Sequence, residues 1–234
     1  MNASAGTNRT ALFDNYWRRI QLRKEAMTIP APCLRWQRMP GFNQVELFIW
    51  DHTHEACRIL DFGSGDQSMR NKFLAAGFQG EYATFDVSPE FPTTYRSIDE
   101  IRGPFDAVLC LEVIEHMPLS DGLDLREQLL SLVAPGGTLV LSTPNPGCIS
   151  SPFARDETHL HVYALHDLLT WALSAGLQPI ARRVKLLPDK FGWRGRLRLL
   201  VQRVLCYSIG SDSADGLLIV ARKLDEPELT RPSD

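Results

Sequence analysis

What this chain lacks narrows it before any motif is read. No apolar run approaches the roughly 18 residues needed to span a membrane. The start, MNASAGTNRT, has no basic stretch leading into an apolar one and does not read as a signal peptide. Cysteine is sparse: Cys33, Cys57, Cys110, Cys148 and Cys206 are odd in number, scattered, and contain no Cys-x-x-Cys. A disulfide framework and a zinc ribbon are excluded on that count, and a reducing, cytoplasmic compartment is expected. Basic charge is not in excess either. The 25 lysines and arginines against 28 acids leave a formal net charge of −3, which does not advertise a nucleic-acid partner. No internal repeat or low-complexity tract is visible.

What is present is ordinary globular material. The 234 residues are 44% hydrophobic and 23% charged, enough for one large domain with a sizeable core. Two helical patterns come first, over Arg9 to Met27 and Asn43 to Glu55, with TIPAP (Thr28 to Pro32) between them. Short apolar runs then alternate with helical patterns. Arg58 to Leu60, Glu81 to Asp86, Tyr95 to Ile98, Phe105 to Leu111 and Thr138 to Ser142 read as strands, as do Leu177 to Val184 and Gly216 to Arg222. Helices are expected over Ser68 to Ala76, Ser120 to Val133 and Leu165 to Ala175, the last closed by Gly176. Such alternation predicts a doubly wound parallel sheet, and runs without polar alternation predict strands covered on both faces.

In an open α/β sheet, ligands bind beyond the carboxyl ends of the strands. Here the first strand ends in Asp61-Phe62-Gly63-Ser64-Gly65-Asp66, and a helix follows. Glycine at two positions allows a tight turn and close backbone approach to a ligand, although a lone Gly-x-Gly occurs in turns of every fold class. Asp86 lies 21 residues past Gly65, at the end of the second strand. That is about the offset of an acid that bonds ribose hydroxyls. The third glycine of a dinucleotide-binding loop would fall at Ser68 and is absent. A carboxylate at Asp61, just before the turn, also disfavours a pyrophosphate. It favours a ligand with a positive amino group and a ribose, such as S-adenosylmethionine (SAM).

The segments RILDFGSGD, FDV, FDAVLCLEVIEHMP, APGGTLVLSTPN and DETHLHVYALHDLLTWALSAGL, in this order, resemble a class I SAM-dependent methyltransferase. The branch they resemble contains the ubiquinone-biosynthesis O-methyltransferases and many bacterial small-molecule methyltransferases. The resemblance covers about residues 57–184, with a closing strand near 216–222. It implies a Rossmann-like α/β fold: a seven-stranded, mostly parallel sheet with helices on both faces, the last strand antiparallel and hairpinned to the one before, and an N-terminal helical cap. The implied division is a cap over 1–56, a methyltransferase domain over 57–224 with a basic lid insert at about 186–214, and a disordered tail over 225–234. The implied cofactor is SAM, with S-adenosylhomocysteine as product. Asp61, Gly63, Ser64 and Gly65 would hold its methionine part, Asp86 its ribose, and Val87, Ser97 and Ile98 would lie by its adenine. Leu111 and Glu112 would form the wall behind the sulfonium. Two departures stand out. Gln67 occupies the place of the family's third glycine, and only 19 positions separate Asp86 from Phe105, too few for the usual helix between the second and third strands.

Glu112, Glu115 and His116 follow the fourth predicted strand, where a methyl acceptor would approach. An oxygen acceptor must lose a proton, and histidine, with a reference pKa of about 6.5, suits that task near neutral pH. His116 is therefore the candidate general base, with no metal. Glu-x-x-Glu-His also resembles the metal motif of methyltransferases acting on the terminal 2′-hydroxyl of small RNAs. In that reading His159 or His161 would complete a set of Glu112, Glu115 and His116. A third possibility is a non-catalytic SAM-binding module.

The acceptor, expected to be a small molecule, would meet His159 and Tyr163 after the fifth predicted strand and Tyr16 and Trp17 from the N-terminal helix. Finally, Asp189 to Cys206 sets Arg194, Arg196, Arg198 and Arg203 among leucines and valines. This reads as a basic amphipathic helix, either a lid or a peripheral contact near 190–206 with a membrane surface, an anionic substrate or a carrier protein.

Overall fold

The computed structural model describes residues 16–34, 39–148, 151, 156–185 and 193–225. Six strands form one sheet: β1 (Arg58–Phe62), β2 (Glu81–Phe85), β3 (Phe105–Leu111), β4 (Val133–Pro144), β5 (Leu177–Val184) and β6 (Gly216–Lys223). Their order is β2-β1-β3-β4-β6-β5. The pairs β1–β2, β1–β3 and β3–β4 are parallel, while β6 runs antiparallel to both β4 and β5. The helices are α1 (Tyr16–Ala26), α2 (Gln44–Thr53), α3 (Ser68–Ala75), α4 (Leu119–Leu132), α5 (Leu165–Ser174) and α6 (Trp193–Ser208). None of the described helices is long and apolar enough to cross a membrane.

The apolar runs of the strands are buried on both faces, as their lack of polar alternation requires. Along β1 and β3, Leu60, Phe62, Val108 and Cys110 face one core together with α4 and α5. Ile59, Ala107 and Leu109 face the other, with Ile49 of α2 and Phe73 of α3. The N-terminal helices divide between these layers, since Ala26 of α1 joins the first core and Ile49 of α2 the second. Asn43 starts α2 with a capping box: its side chain accepts from the amides of Val45 and Glu46, and Glu46 accepts from the Asn43 amide. An ion pair of 2.7 Å between Lys72 and Glu46 then ties α2 to α3.

The sheet has six strands among the described residues, not the seven expected. The missing one is the predicted third strand, Tyr95 to Ile98, of which only a single bridge from Phe85 to Tyr95 forms. Its physical cause lies in the short connection. Pro89 and Pro92 lack the amides a ladder needs. Thr94 and Thr84 instead bond through their hydroxyls, each accepting from the other's amide at 3.1 Å. Ser97 then caps a 3₁₀ turn over Ile98–Glu100 with its own capping box, which turns the chain off the sheet edge. Of the expected disordered tail at 225–234, residues 226–234 lie outside the described residues, as do residues 186–192 of the basic insert.

If the Thr84–Thr94 pair substitutes for strand pairing, Thr94→Val leaves the buried Thr84 amide without its side-chain acceptor. The expected loss is about 1 kcal/mol. Thermal unfolding should read it as a fall in Tm of about 2–4 °C, with no change in far-ultraviolet circular dichroism.

Candidate active site

Three connections meet at the carboxyl ends of β1, β2 and β3. The first is the glycine turn after β1. Gly63 and Ser64 both donate their amides to the carbonyl of Phe85 at the end of β2, at 2.8 and 3.0 Å. Gly65 donates to Asp86 Oδ2 at 2.7 Å, and Asp86 Oδ1 accepts from the amide of Ser88. The 21-residue spacing thus closes into a direct contact between loop and acid. Gly63 has φ +81°, and a Cβ there would lie 2.3 Å from Val113 Cγ2, so both torsion and space demand glycine. At Gly65, φ +48°, a Cβ would meet nothing within 4 Å, which leaves open room above the turn. Gln67 takes φ +60°, a left-handed conformation that costs a side-chain-bearing residue about 1–2 kcal/mol. This is the physical sense of a glycine at that place, and of the departure from it here.

Asp61 ends β1 almost fully buried, with the hydroxyl of Tyr82 donating to Oδ2 at 3.1 Å. Burial is the main force lifting its carboxyl from the usual 3.8 to about 7; the Tyr82 bond opposes the lift and the nearby Asp86 adds to it.

The second connection follows β3. Glu112 sits at φ +53°, a left-handed torsion that a non-glycine residue adopts only where its surroundings hold it. They do: its amide donates to the carbonyl of Ser142, and Ser142 Oγ donates to Glu112 Oε1 at 2.7 Å. A 3₁₀ turn over Ile114–His116 comes next. Glu115 is wholly buried. Thr143 Oγ1 donates to its Oε2 at 3.1 Å, while Oε1 is buried without a partner. Desolvation, then the charge of Glu112, raises the Glu115 carboxyl well above the ordinary glutamate range.

The third connection approaches α5. The amides of Leu160 and His161 donate to the Glu115 carbonyl at 2.8 and 3.1 Å, pinning this segment to the turn. Asp156 holds the segment from within by accepting from the amide and hydroxyl of Thr158. As a result the rings of His116 and His159 meet edge to face, with centroids 4.8 Å apart. His116 Nδ1 lies 3.2 Å from the carbonyl of Thr158. A carbonyl can only accept, so in the neutral ring this contact favours the proton on Nδ1 and leaves the lone pair on Nε2. His159 Nδ1 is buried and unpartnered.

These groups line one cavity of about 480 Å³. Leu111, Glu112, Glu115, His116 and His159 form one part of its wall. Asn43, Val45 and Glu46 from the start of α2, Met69 of α3, and Val184, Gly216 and Leu217 from β5 and β6 form much of the rest. Asp156 and Asp215 also face it.

The family model described as a methyltransferase domain matches residues 16–182. The chain belongs to the methyltransferase domain family. A ubiquinone biosynthesis O-methyltransferase from Xanthomonas campestris pv. campestris (strain B100) is 33% identical over 107 residues, 38% of this chain and 43% of that one. A ubiquinone biosynthesis O-methyltransferase from Xanthomonas axonopodis pv. citri (strain 306) is 28% identical over 179 residues, 61% and 70% of the two chains. The matched part therefore spans less than half the length of the first of these relatives. Among solved structures, a SAM-dependent methyltransferase from Archaeoglobus fulgidus superposes with a TM-score of 0.55 at 17% identity, covering 91% of this chain and 98% of that one. At that identity the superposition speaks for the fold.

Within this domain the residues expected from sequence are placed unevenly. Leu111, Glu112, His116 and His159 line the cavity. Gly63, Ser64, Gly65 and Asp86 form the neighbouring turn. Val87 follows it, 84% exposed. Ser97 and Ile98 lie in the 3₁₀ turn beyond the β2 edge. Tyr16 and Trp17 are exposed on α1 and do not line the cavity. Tyr163 is in the core, its ring facing the guanidinium of Arg126 and its hydroxyl against Gly122. Sequence reasoning missed Asn43, Met69, Asp156 and Asp215 as wall residues. Asn43 and Asp156 carried a signal, each standing two or three residues before a segment it caps; Asp215 carried none, because only the β5–β6 pairing brings it back beside Lys185, at 3.1 Å.

The raised Asp61 carboxyl has a measurable consequence. Between about pH 4 and 7 the folded chain keeps a proton at Asp61 that the unfolded chain releases, so stability declines as pH rises through that window and levels off above about 7. Denaturant unfolding at a series of pH values should show Asp61→Asn losing this component of the decline while wild type keeps it.

Proposed function

We propose that this methyltransferase uses SAM to methylate an oxygen of a small-molecule acceptor, with His116 Nε2 taking the acceptor's proton. The observation that carries the reading is the Nδ1 contact with the Thr158 carbonyl, which presents Nε2 as a proton acceptor at the cavity wall. The ubiquinone biosynthesis O-methyltransferase names of the sequence relatives support oxygen over nitrogen or carbon, and a small molecule over a macromolecule.

The chain's own groups fit the methyl donor. Ser64 Oγ is buried in the glycine turn with no partner, and beside it the buried Asp61 carboxyl accepts from the Tyr82 hydroxyl. Asp61, Gly63, Ser64 and Gly65 would hold the methionine part, Asp86 the ribose, and Val87, Ser97 and Ile98 the adenine side. Leu111 and Glu112 would stand behind the sulfonium. SAM supplies an electrophilic methyl group when bound. The protein's share is then to orient the acceptor, to exclude water and to move one proton at His116 Nε2. His159 would touch the acceptor, and the start of α2 would close the cavity from the other side. Of the four acceptor contacts expected from sequence, His159 is the one that lines the cavity. Tyr163 would act from beneath, through the segment it anchors, and Tyr16 and Trp17 would need α1 to approach the site.

Titration calorimetry with SAM and with S-adenosylhomocysteine should show binding; a folded chain that binds neither overturns the proposal. His116→Ala should bind both as wild type does and lose about 10²–10⁴-fold in turnover. Full turnover in that variant would remove the base.

A second reading rests on a specific grouping. Ligand atoms of Glu115, His116 and His159 all lie within 4.8 Å of one another, and Glu115 Oε1 and His159 Nδ1 are the buried atoms there without partners. A divalent cation would satisfy both and would align a vicinal hydroxyl acceptor, as in the metal-assisted reaction on an RNA 2′-hydroxyl. The acidic net charge weighs against the nucleic acid but not against the ion. Equilibrium dialysis with Mg²⁺, Mn²⁺ and Zn²⁺ should find one bound ion that Glu115→Gln weakens about tenfold or more. Turnover indifferent to chelators would discard the metal mechanism.

A further inference from the structure

Helix α6 has an apolar face that the protein does not cover. Leu197, Leu200, Val201, Val204 and Leu205 recur at helical spacing and are each 49 to 61% exposed. On the opposite side Cys206, near the carboxyl end, is buried, while the aliphatic side is turned outward. Such an arrangement reverses the ordinary amphipathic helix, whose apolar stripe faces the core. It is also not a loose end. Past the helix, Ser211 Oγ donates to the carbonyl of Gly147, and Asp212 accepts from Asn145 and Arg183, which fastens the carboxyl end to the domain.

Charge decides what covers this face. The helix carries Arg194, Arg196, Arg198 and Arg203 and no acid, in a chain whose net charge is −3. Helical spacing puts positions 196 and 203 on one border of the apolar face, position 198 on the other, and position 194 in line with Val201 at its amino end. A second copy docked there would set arginine borders against arginine borders with no carboxylate on the helix to relieve them. A smooth aliphatic strip with cations along its edges matches instead a boundary that is apolar below and anionic at its surface. We infer that α6 docks in the plane of an anionic lipid bilayer, with Leu197, Leu200, Val201, Val204 and Leu205 entering the acyl boundary and the exposed Arg203 meeting phosphate headgroups. The connection that carries α6 leaves the sheet at Val184 and rejoins it at Gly216, both wall residues of the cavity, so docking would hold the site next to the membrane surface. This inference stands apart from the methyltransfer chemistry and does not depend on it.

Co-sedimentation of the full chain with lipid vesicles tests it. Vesicles containing phosphatidylglycerol should bind at least about tenfold more tightly than vesicles of phosphatidylcholine alone, with affinity falling as salt rises. A chain carrying Leu200→Asp and Val204→Asp should lose about tenfold or more of that binding. Circular dichroism should match wild type, because both side chains are half exposed. Arg203→Glu, a milder change at an exposed residue, should weaken binding to the anionic vesicles severalfold and leave binding to neutral ones unchanged. No preference for anionic lipid, or undiminished binding by the double variant, overturns the inference. A chain that ignores vesicles but is a dimer by light scattering, and a monomer as the double variant, would assign the face to a second copy and overturn it too. So would a chain that ignores vesicles and captures only an acidic protein.

Discussion

The arrangement of the site depends on one buried carboxylate residue. Glu115 uses its backbone carbonyl to hold the amides of Leu160 and His161, and its side chain to hold Thr143 at the end of β4. Two connections and the end of β4 are thereby fixed to one another at the carboxyl edge of the sheet. Without that junction, the short 3₁₀ turn and the segment before α5 would have no common anchor, and the two histidine rings would not meet. Burying a glutamate side chain with one oxygen unpartnered is costly. Its raised carboxyl is the expected response, since the neutral form loses less on desolvation and avoids repulsion by the charge of Glu112.

The same edge concentrates the other departures from relaxed geometry. Gly63, Gly65, Gln67 and Glu112 all have positive φ, and all four lie within the turns that follow β1 and β3. Two are glycines, which adopt the conformation freely; two are not. Glu112 is held there by a double contact with Ser142 on the adjacent strand, so its torsion is set by β3–β4 pairing rather than by its own preference. The strain falls on the residue that faces the cavity, which is where a fold stores it when position matters more than stability.

Much of this was legible beforehand, for identifiable reasons. The apolar runs of β1, β3 and β4 and the helices between them announce a doubly wound sheet because strands covered on both faces cannot tolerate polar alternation. The spacing of Gly65 and Asp86 announces a ligand turn because a β-α-β unit has a nearly fixed length. The third strand was misread from Tyr95 to Ile98. Those residues look strand-like in isolation, yet the threonine pair and the Ser97 cap take the hydrogen bonds that a ladder would need. Tyr163 was read toward the acceptor because the family resemblance sets the segment after the fifth predicted strand there; its ring lies in the layer of Arg126 and Trp171 beneath.

The sequence by itself determined the fold class, the position of the glycine turn and the family, since these follow from periodicity, spacing and the order of motifs along one dimension. It also supplied every side chain of the site. Which of them meet was decided by tertiary structure alone. Glu115 is a letter among others in EVIEH until the carbonyl of that residue captures a segment 45 residues away. Asp215 and the outward face of α6 acquire their places only when β6 pairs between β4 and β5. Contacts of that range depend on the closure of the whole sheet, and no local pattern records them.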